Sequence, residues 1–418
     1  MLTLIKRLIP RPVFLLIQPI YHYTLSLLGA LIYRFPSNSL YVIGVTGTKG
    51  KSSTVQIISS ILEASGEKVA TASTISFSIN DESVPNKFKM TMPGRFFLQY
   101  FLRGAVRKGS KYAVIEMTSE GVKQFRHKWI ALDALVFTNL RPEHIEAHGS
   151  FENYRDAKLK LRDSISKSNK KERVIVSNID DEHGSLFLDT EVEKKLPYSL
   201  TNTKHGVNEK GVTISLDENT FTSTLRGKFN GHNILAAITL SKHLGIDDNS
   251  IQRGLDNVLI PGRVEFINEG QDFDVVVDYA HTTDSLLALY DAFPGRKKIC
   301  VLGSTGGGRD KWKRPKIGEI VEANCEKVIL TDEDPYDENP KEIVEDVISG
   351  MKEKPQVIMD RREAIKKGIE IAEKGGIVLI TGKGTDPYIM GPRGEKTPWS
   401  DAEVAREILH DLGKTDVL

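Results

Sequence analysis

Short apolar runs of four or five residues alternate along this chain with longer stretches of helical spacing. In the first half the runs are 40–43, 68–74, 112–115, 135–137 and 174–176, with a helical pattern over 55–62 and a helix ending over 103–108. In the second half 275–277, 298–302, 328–330 and 377–380 repeat the scheme. The alternation predicts an α/β fold: parallel sheets with helices on both faces. Polar residues follow the runs, at Thr46, Glu116, Asn139 and Asn178, then over 278–281, 303–310, 331–337 and 382–384. That carboxyl edge is where open α/β sheets bind ligands. Three segments are expected: an apolar helical stretch over 1–38, a central domain over 39–260, and a second α/β domain over 261–418.

The first run leads into Gly44-Val45-Thr46-Gly47-Thr48-Lys49-Gly50-Lys51-Ser52-Ser53-Thr54. Strand, glycine-rich turn and helix is the setting of a phosphate-binding loop. Its backbone N–H groups and the positive end of the new helix cradle phosphates. Gly47, Thr48, Lys49, Gly50, Ser52 and Ser53 are therefore placed around a nucleoside triphosphate, with Lys51 on the outer phosphates and Ser52 on Mg²⁺. The match to the common pattern is offset, since Val45 stands six before Lys51 and the glycine is Gly44. Glu116 and His144, a carboxylate and an imidazole near strand ends, complete an expected Mg²⁺ site. Two sheets joined near residue 260 predict a nucleotide held by both domains.

Composition changes the picture little. The 418 residues carry 57 basic and 56 acidic side chains, so no global field recruits nucleic acid. Cys300 and Cys325 lack metal-ligand spacing and are expected as buried free thiols in a reducing compartment. The N-terminus adds more. Residues 12–33 hold no charge and are flanked by Lys6, Arg7, Arg11 and Arg34. The length suits a membrane span. Gln18, Pro19 and His22 inside it, and bases on both sides, argue instead for one helix buried against the protein or lying at a membrane surface, a packed helix pair being the plainer alternative. A cleaved export signal would take an ATP-dependent protein away from its nucleotide. A cytoplasmic monomer, peripheral to the inner face of the membrane, is the expectation.

Other charged residues are ambiguous alone. Lys158 sits in a helical stretch and, on sequence physics, is a solvated lysine. Asp278 and His281 follow a strand, and Arg263 follows Pro261-Gly262. The acidic run 332–338 has the makings of a solvated loop or of a site for a cationic group.

Together these motifs resemble the Mur ligases, ATP-dependent amino-acid ligases of peptidoglycan precursor synthesis, and are most similar to the MurE type. The resemblance covers about nine-tenths of the chain, from Leu40 onward. It rests on 47–52, Glu116-Met117-Thr118-Ser119, Thr138-Asn139-Leu140, 143–149, Asn178-Ile179-Asp180-Asp181, Asn230-Gly231-His232-Asn233, Pro261-Gly262-Arg263, Asp278-Tyr279-Ala280-His281, 303–310, Lys313-Arg314-Pro315 and Gly382-Lys383-Gly384. It implies a central P-loop-type ATPase domain and a Rossmann-like C-terminal domain. It implies ATP and Mg²⁺, a muramoyl-peptide acceptor activated as an acyl phosphate, and a free amino acid whose amine displaces phosphate. By resemblance Ser52, Glu116 and His144 hold Mg²⁺. Asn139, Asn233, Arg263, Asp278 and His281 contact the nucleotide. Lys158 matches a lysine that CO₂ converts to a carbamate able to ligate a second Mg²⁺. Thr91, Thr118, Gln124 and Arg126 match acceptor contacts. Arg309, Asp334, Gly382 and Asp386 fall at positions facing the amino acid.

Three departures matter. The family's Asp-Asn-Pro-Arg, which reads meso-diaminopimelate, is here Glu333-Asp334-Pro335-Tyr336. Loss of the arginine removes a bidentate carboxylate partner, and Asp334 adds a charge that attracts an amine, so lysine or ornithine is expected. The family's Gly-Lys-Gly-His-Glu ends here in Thr385-Asp386. MurE enzymes also begin with a UDP-holding domain of roughly a hundred residues. Only about forty apolar residues precede the loop here, so either UDP is held by other means or the acceptor carries none, one such case being a lipid-linked acceptor docked through 12–33. Three other readings compete: a related ligase of folylpolyglutamate or cyanophycin type, a nucleotide-binding protein without catalysis, and a plain P-loop switch or kinase, which would leave the glycine-rich strand ends of the second domain without a use. The Gln124-x-Arg126 spacing and the 143–149 segment favour the muramoyl-peptide branch. Retention of Lys51, Glu116, His144 and Lys158 favours an enzyme.

Overall fold

The computed structural model describes residues 11–143, 148–308 and 311–415. The chain divides into two compact units, residues 1–206, 213–223 and 230–258, and residues 207–212, 224–229 and 259–418.

The first unit is built on an eight-stranded sheet. Its strands are β1 (Tyr41–Thr46), β2 (Val69–Ala72), β3 (Ser76–Ile79), β4 (Glu82–Pro85), β5 (Tyr112–Glu116), β6 (Ala134–Phe137), β7 (Val174–Asn178) and β8 (Lys194–Tyr198). Their order is β4-β3-β2-β5-β1-β6-β7-β8. The five predicted runs are all present, and they pair in parallel. The β2-β3-β4 edge is antiparallel, an element that the apolar pattern does not show because β4 is exposed throughout. Val42, Ala113, Ile115, Leu135, Phe137 and Ile175 sit in one fully buried cluster. Strands covered on both faces read as continuous apolar runs, which is why they are visible in the sequence. A meander of β9 (Lys204–Asn208), β10 (Gly211–Leu216) and β11 (Asn219–Ser223) follows.

The second unit carries β12 (Glu265–Ile267), β13 (Asp274–Asp278), β14 (Lys298–Leu302), β15 (Lys327–Leu330), β16 (Gln356–Val357) and β17 (Ile377–Thr381). The order is β12-β13-β17-β14-β15-β16, parallel except for β12. Alternate residues feed opposite faces. Val276, Cys300, Leu302 and Leu379 pack with Leu286, Tyr290 and Ile317. Val275, Val277, Ile299, Val301, Val378 and Ile380 pack with Ile365, Ala405 and Ile408. A hairpin, β18 (Tyr388–Met390) and β19 (Lys396–Pro398), completes the strands described.

One expectation is corrected here. Cys300 and Cys325 are not free thiols: they form a disulfide, with Cα atoms 6.0 Å apart. The Lys313–Asn324 helix returns the chain beside β14, where Cys300 registers with Val328 of β15. Twenty-five residues of sequence separation hide that proximity, and the pairing removes free thiols as a sign of a reducing compartment. The N-terminal stretch is one helix, Arg11–Ile32, with Pro19 inside it. No helix among the described residues is long and apolar enough to cross a membrane.

Candidate active site

β1 ends at Thr46 and the Lys51–Ala64 helix begins at Lys51, so the glycine-rich turn is four residues long. Gly47 and Gly50 have φ of 149° and 80°. A Cβ on Gly50 would lie 2.3 Å from Asn233 Oδ1, and one on Gly47 would lie 2.0 Å from Thr138 Oγ1. Both glycines are therefore required by close approach as well as by backbone angle. Gly50→Ala is expected to lower stability by about 2 kcal/mol. A thermal melt with and without nucleotide checks this, and an unchanged melting temperature refutes it.

The loop is braced by the neighbouring strand end. Thr48 N donates to Asn139 O at 2.8 Å, and Lys49 N donates to Asn139 Oδ1 at 2.9 Å. Thr138 Oγ1 donates to Lys49 O at 2.7 Å. Asn139 thus holds the loop's shape. Lys49 Nζ pairs with Glu143 at 2.6 Å, and Thr54 Oγ1 donates to Asn233 Oδ1 at 3.3 Å.

Glu116, at the end of β5, is the hub. It is buried, and its Oε2 accepts from Ser52 Oγ at 2.8 Å, Thr74 N at 2.9 Å and Thr74 Oγ1 at 3.0 Å. Lys51 Nζ lies 3.9 Å from Glu116 Oε1 and donates to Thr48 O at 2.9 Å. β5 flanks β1 in register, Val45 opposite Glu116, which brings the carboxylate to the first turn of the helix. A hydroxyl and a carboxylate side by side at a helix N-terminus are hard oxygen donors. They fit Mg²⁺ in company with phosphate oxygens. His144 lies outside the described residues.

Lys158 is the sharpest departure from its reading as a solvated lysine. Its side chain is 1% exposed, and Nζ donates to Gly47 O at 2.6 Å and lies 4.9 Å from the Tyr154 ring centre. Burial, then the nearby Lys51 charge, push its pKa well below the ordinary lysine value. The available sign was positional: Tyr154, Ala157, Lys158, Leu161 and Ile165 form the buried stripe of the Phe151–Ser166 helix. Tyr154 itself, bonded to Thr48 Oγ1 at 2.9 Å, and Thr74 were not singled out by the sequence reading. Thr74 had a usable sign, since it follows a strand as Glu116 and Asn139 do.

Of the expected acceptor residues, Thr91 is linked to Glu116 through Thr74: its Oγ1 is 2.7 Å from Thr74 Oγ1, which donates to Glu116. Thr118 caps the short Ser119–Lys123 helix by accepting from Gly121 N. Arg126 donates to Gln124 Oε1 at 2.7 Å and to the Met92 carbonyl. Burial lowers the Arg126 pKa, with Arg95 adding to the effect.

In the second unit, Arg263 stacks on the Tyr279 ring at 4.2 Å. The Asp278 carboxylate accepts from Val264 N at 2.7 Å and Ala280 N at 2.6 Å, so it braces the turn after β13. His281 is exposed, with Nδ1 2.7 Å from Tyr279 O. Arg309 lies outside the described residues. Asp334 requires correction: it is not an open carboxylate awaiting an amine. It is buried, and its Oδ1 accepts from Lys383 Nζ at 2.8 Å and Met390 N at 2.8 Å. Lys383, fully buried between two glycines, also reaches Asp386 at 3.4 Å and Tyr388 O at 2.7 Å. Gly382, φ 107°, allows the close approach of Glu333, whose Oε2 would lie 2.2 Å from a Cβ there. Burial raises the Glu333 pKa, and Thr305 Oγ1 donates to it at 2.7 Å.

The chain is similar to known proteins over most of its length. The Mur ligase middle domain family model matches residues 45–241, and the Mur ligase, glutamate ligase domain model matches 262–384. A relative from Caldanaerobacter subterraneus subsp. tengcongensis, named UDP-N-acetylmuramoyl-L-alanyl-D-glutamate--2,6-diaminopimelate ligase, is 35% identical over 400 residues, 91% of this chain and 80% of its own. One from Treponema denticola, named UDP-N-acetylmuramyl-tripeptide synthetase, is 35% identical across 92% of this chain and 79% of its own. A solved structure named as a 2,6-diaminopimelate ligase of the same kind superposes with TM-score 0.62 at 30% identity, covering 90% of this chain and 79% of its own. Folylpolyglutamate synthase of Mycobacterium tuberculosis superposes with TM-score 0.69 at 16% identity over 87% of this chain and 93% of its own, a likeness of fold.

Proposed function

The chain belongs to the Mur ligase family, and from that premise we propose how its residues carry out the ligation. It is an ATP-dependent ligase that forms a carbon–nitrogen bond between an amino acid and a muramoyl peptide in peptidoglycan precursor synthesis. In our reading a carboxylate oxygen of the acceptor attacks the γ-phosphorus of ATP, and the bond to ADP breaks. The amine of the incoming amino acid then attacks the acyl-phosphate carbon, phosphate leaves, and the amine proton is released. Both reactants of the first step are anions, so the site must offset charge. Lys51 does so at the outer phosphates. Ser52, Glu116 and His144 would hold Mg²⁺, which supplies further positive charge there. Thr91, Thr118, Gln124 and Arg126 orient the acceptor beside Glu116.

Lys158 is read as a carbamate. Its lowered pKa favours the neutral amine, the form that attacks CO₂: the N–C bond forms and a proton is lost. The product is an anion suited to a second Mg²⁺. The observation that carries the whole reading is the shared contact of Ser52, Thr74 and Glu116 at the mouth of the phosphate loop.

For the amino acid we favour lysine or ornithine. The support is Tyr336 where the diaminopimelate-reading motif has arginine, since a phenol offers no bidentate cation to a distal carboxylate. Asp334 supports this less directly than its charge implies, because Lys383 offsets it. An ATP-dependent screen of amino acids against UDP-muramoyl-dipeptide, read by mass spectrometry, is expected to show lysine or ornithine added fastest. Faster addition of meso-diaminopimelate in direct competition refutes the preference, and no ATP-dependent product with any amino acid on either the UDP-linked or a lipid-linked muramoyl dipeptide refutes the function.

A further inference from the structure

The Arg11–Ile32 helix wears its apolar side outward. Ile17, Ile20, Tyr21, Leu28, Leu31 and Ile32 are 50%, 68%, 44%, 44%, 53% and 61% exposed. Their spacing places them on one stripe of the helix. The opposite side is small or polar: Ser26, Gly29 and Ala30 are buried, and His22 bonds Arg95. A Cβ on Gly29 would lie 3.5 Å from Arg95 O, so this side is seated close on the Arg95–Arg107 helix. Helices on a protein's surface ordinarily do the reverse, and a contiguous exposed apolar stripe marks a contact surface.

At the end of the stripe Arg34, Arg103 and Arg107 line a cleft of about 300 Å³ with Ile32 and Tyr33. No acidic residue occurs before Glu63, and none occurs in the Arg95–Arg107 helix. Tyr33 and the exposed Tyr100 meet edge to face beside the same cleft. Apolar stripe, aromatic rim and guanidinium cluster together have the chemistry of a bilayer interface, in that order of depth. Guanidinium groups suit phosphate oxygens.

We propose that this face seats the protein on an anionic membrane surface. The stripe lies among the upper acyl chains and Arg34, Arg103 and Arg107 meet headgroup phosphates, with the helix in the membrane plane. A second copy seated through the same face would bring no acidic residue of these two segments to the arginine cleft, which disfavours that occupant.

Sedimentation of the full chain with vesicles tests this. With equal phosphatidylglycerol and phosphatidylcholine at low salt, the protein is expected to pellet; with phosphatidylcholine alone, or at high salt, binding falls about tenfold or more. Ile20→Asn/Leu31→Asn and Arg34→Glu/Arg107→Glu, all at exposed positions, are each expected to weaken binding about tenfold with unchanged melting temperature. Wild-type protein that stays in the supernatant with the anionic vesicles overturns the proposal. So does equal binding by wild type and both variants. Self-association abolished by the Ile20/Leu31 change, without vesicle binding, also overturns it and assigns the face to a second copy.

Discussion

Lys158→Met is expected to lower ligation about a thousand-fold while leaving the protein as stable or more so. Methionine matches the length of the buried stem and removes the cost of burying a charge. The sign follows from linkage. Burial pushes the Lys158 pKa below its unfolded value, so between the two the unfolded chain holds more protons. Wild-type stability therefore climbs as pH rises through that window. The stability gain from methionine is accordingly greatest at low pH and fades toward the ordinary lysine pKa, about 10.4. Thermal melts across this range check the stability, and steady-state assays check the turnover. Added bicarbonate is expected to leave the variant inactive, since no amine remains to take up CO₂. Near-normal turnover removes Lys158 from the mechanism.

Glu116→Gln is expected to lower kcat/KM about a hundred- to a thousand-fold at limiting Mg²⁺, with partial recovery at high Mg²⁺. Glutamine keeps the shape and still accepts from Ser52 and Thr74, so the hydrogen-bonded hub persists. What it lacks is the charge that a hard cation requires. The half-saturating Mg²⁺ concentration is the discriminating readout. An activity loss with unchanged Mg²⁺ dependence would make Glu116 a brace for the loop and not a metal ligand.

What the chain declares by itself is local. The core strands of both sheets are legible because burial on two faces leaves unbroken apolar runs, and β1 with its glycine-rich turn because strand, turn and helix are consecutive. Exposed strands such as β4 leave no such mark. Charge state and pairing were decided elsewhere. Lys158 is buried against Gly47, 111 residues away, which drives its pKa down, and Asp334 loses its open charge to Lys383, 49 residues on. Cys300 and Cys325 pair because a helical crossover folds one strand back beside another. Composition shows an apolar N-terminal helix, but only packing on the Arg95–Arg107 helix determines which side faces out. A side chain's identity is written in sequence; its solvation and its partners depend on strand order, which brings distant residues within a few ångströms.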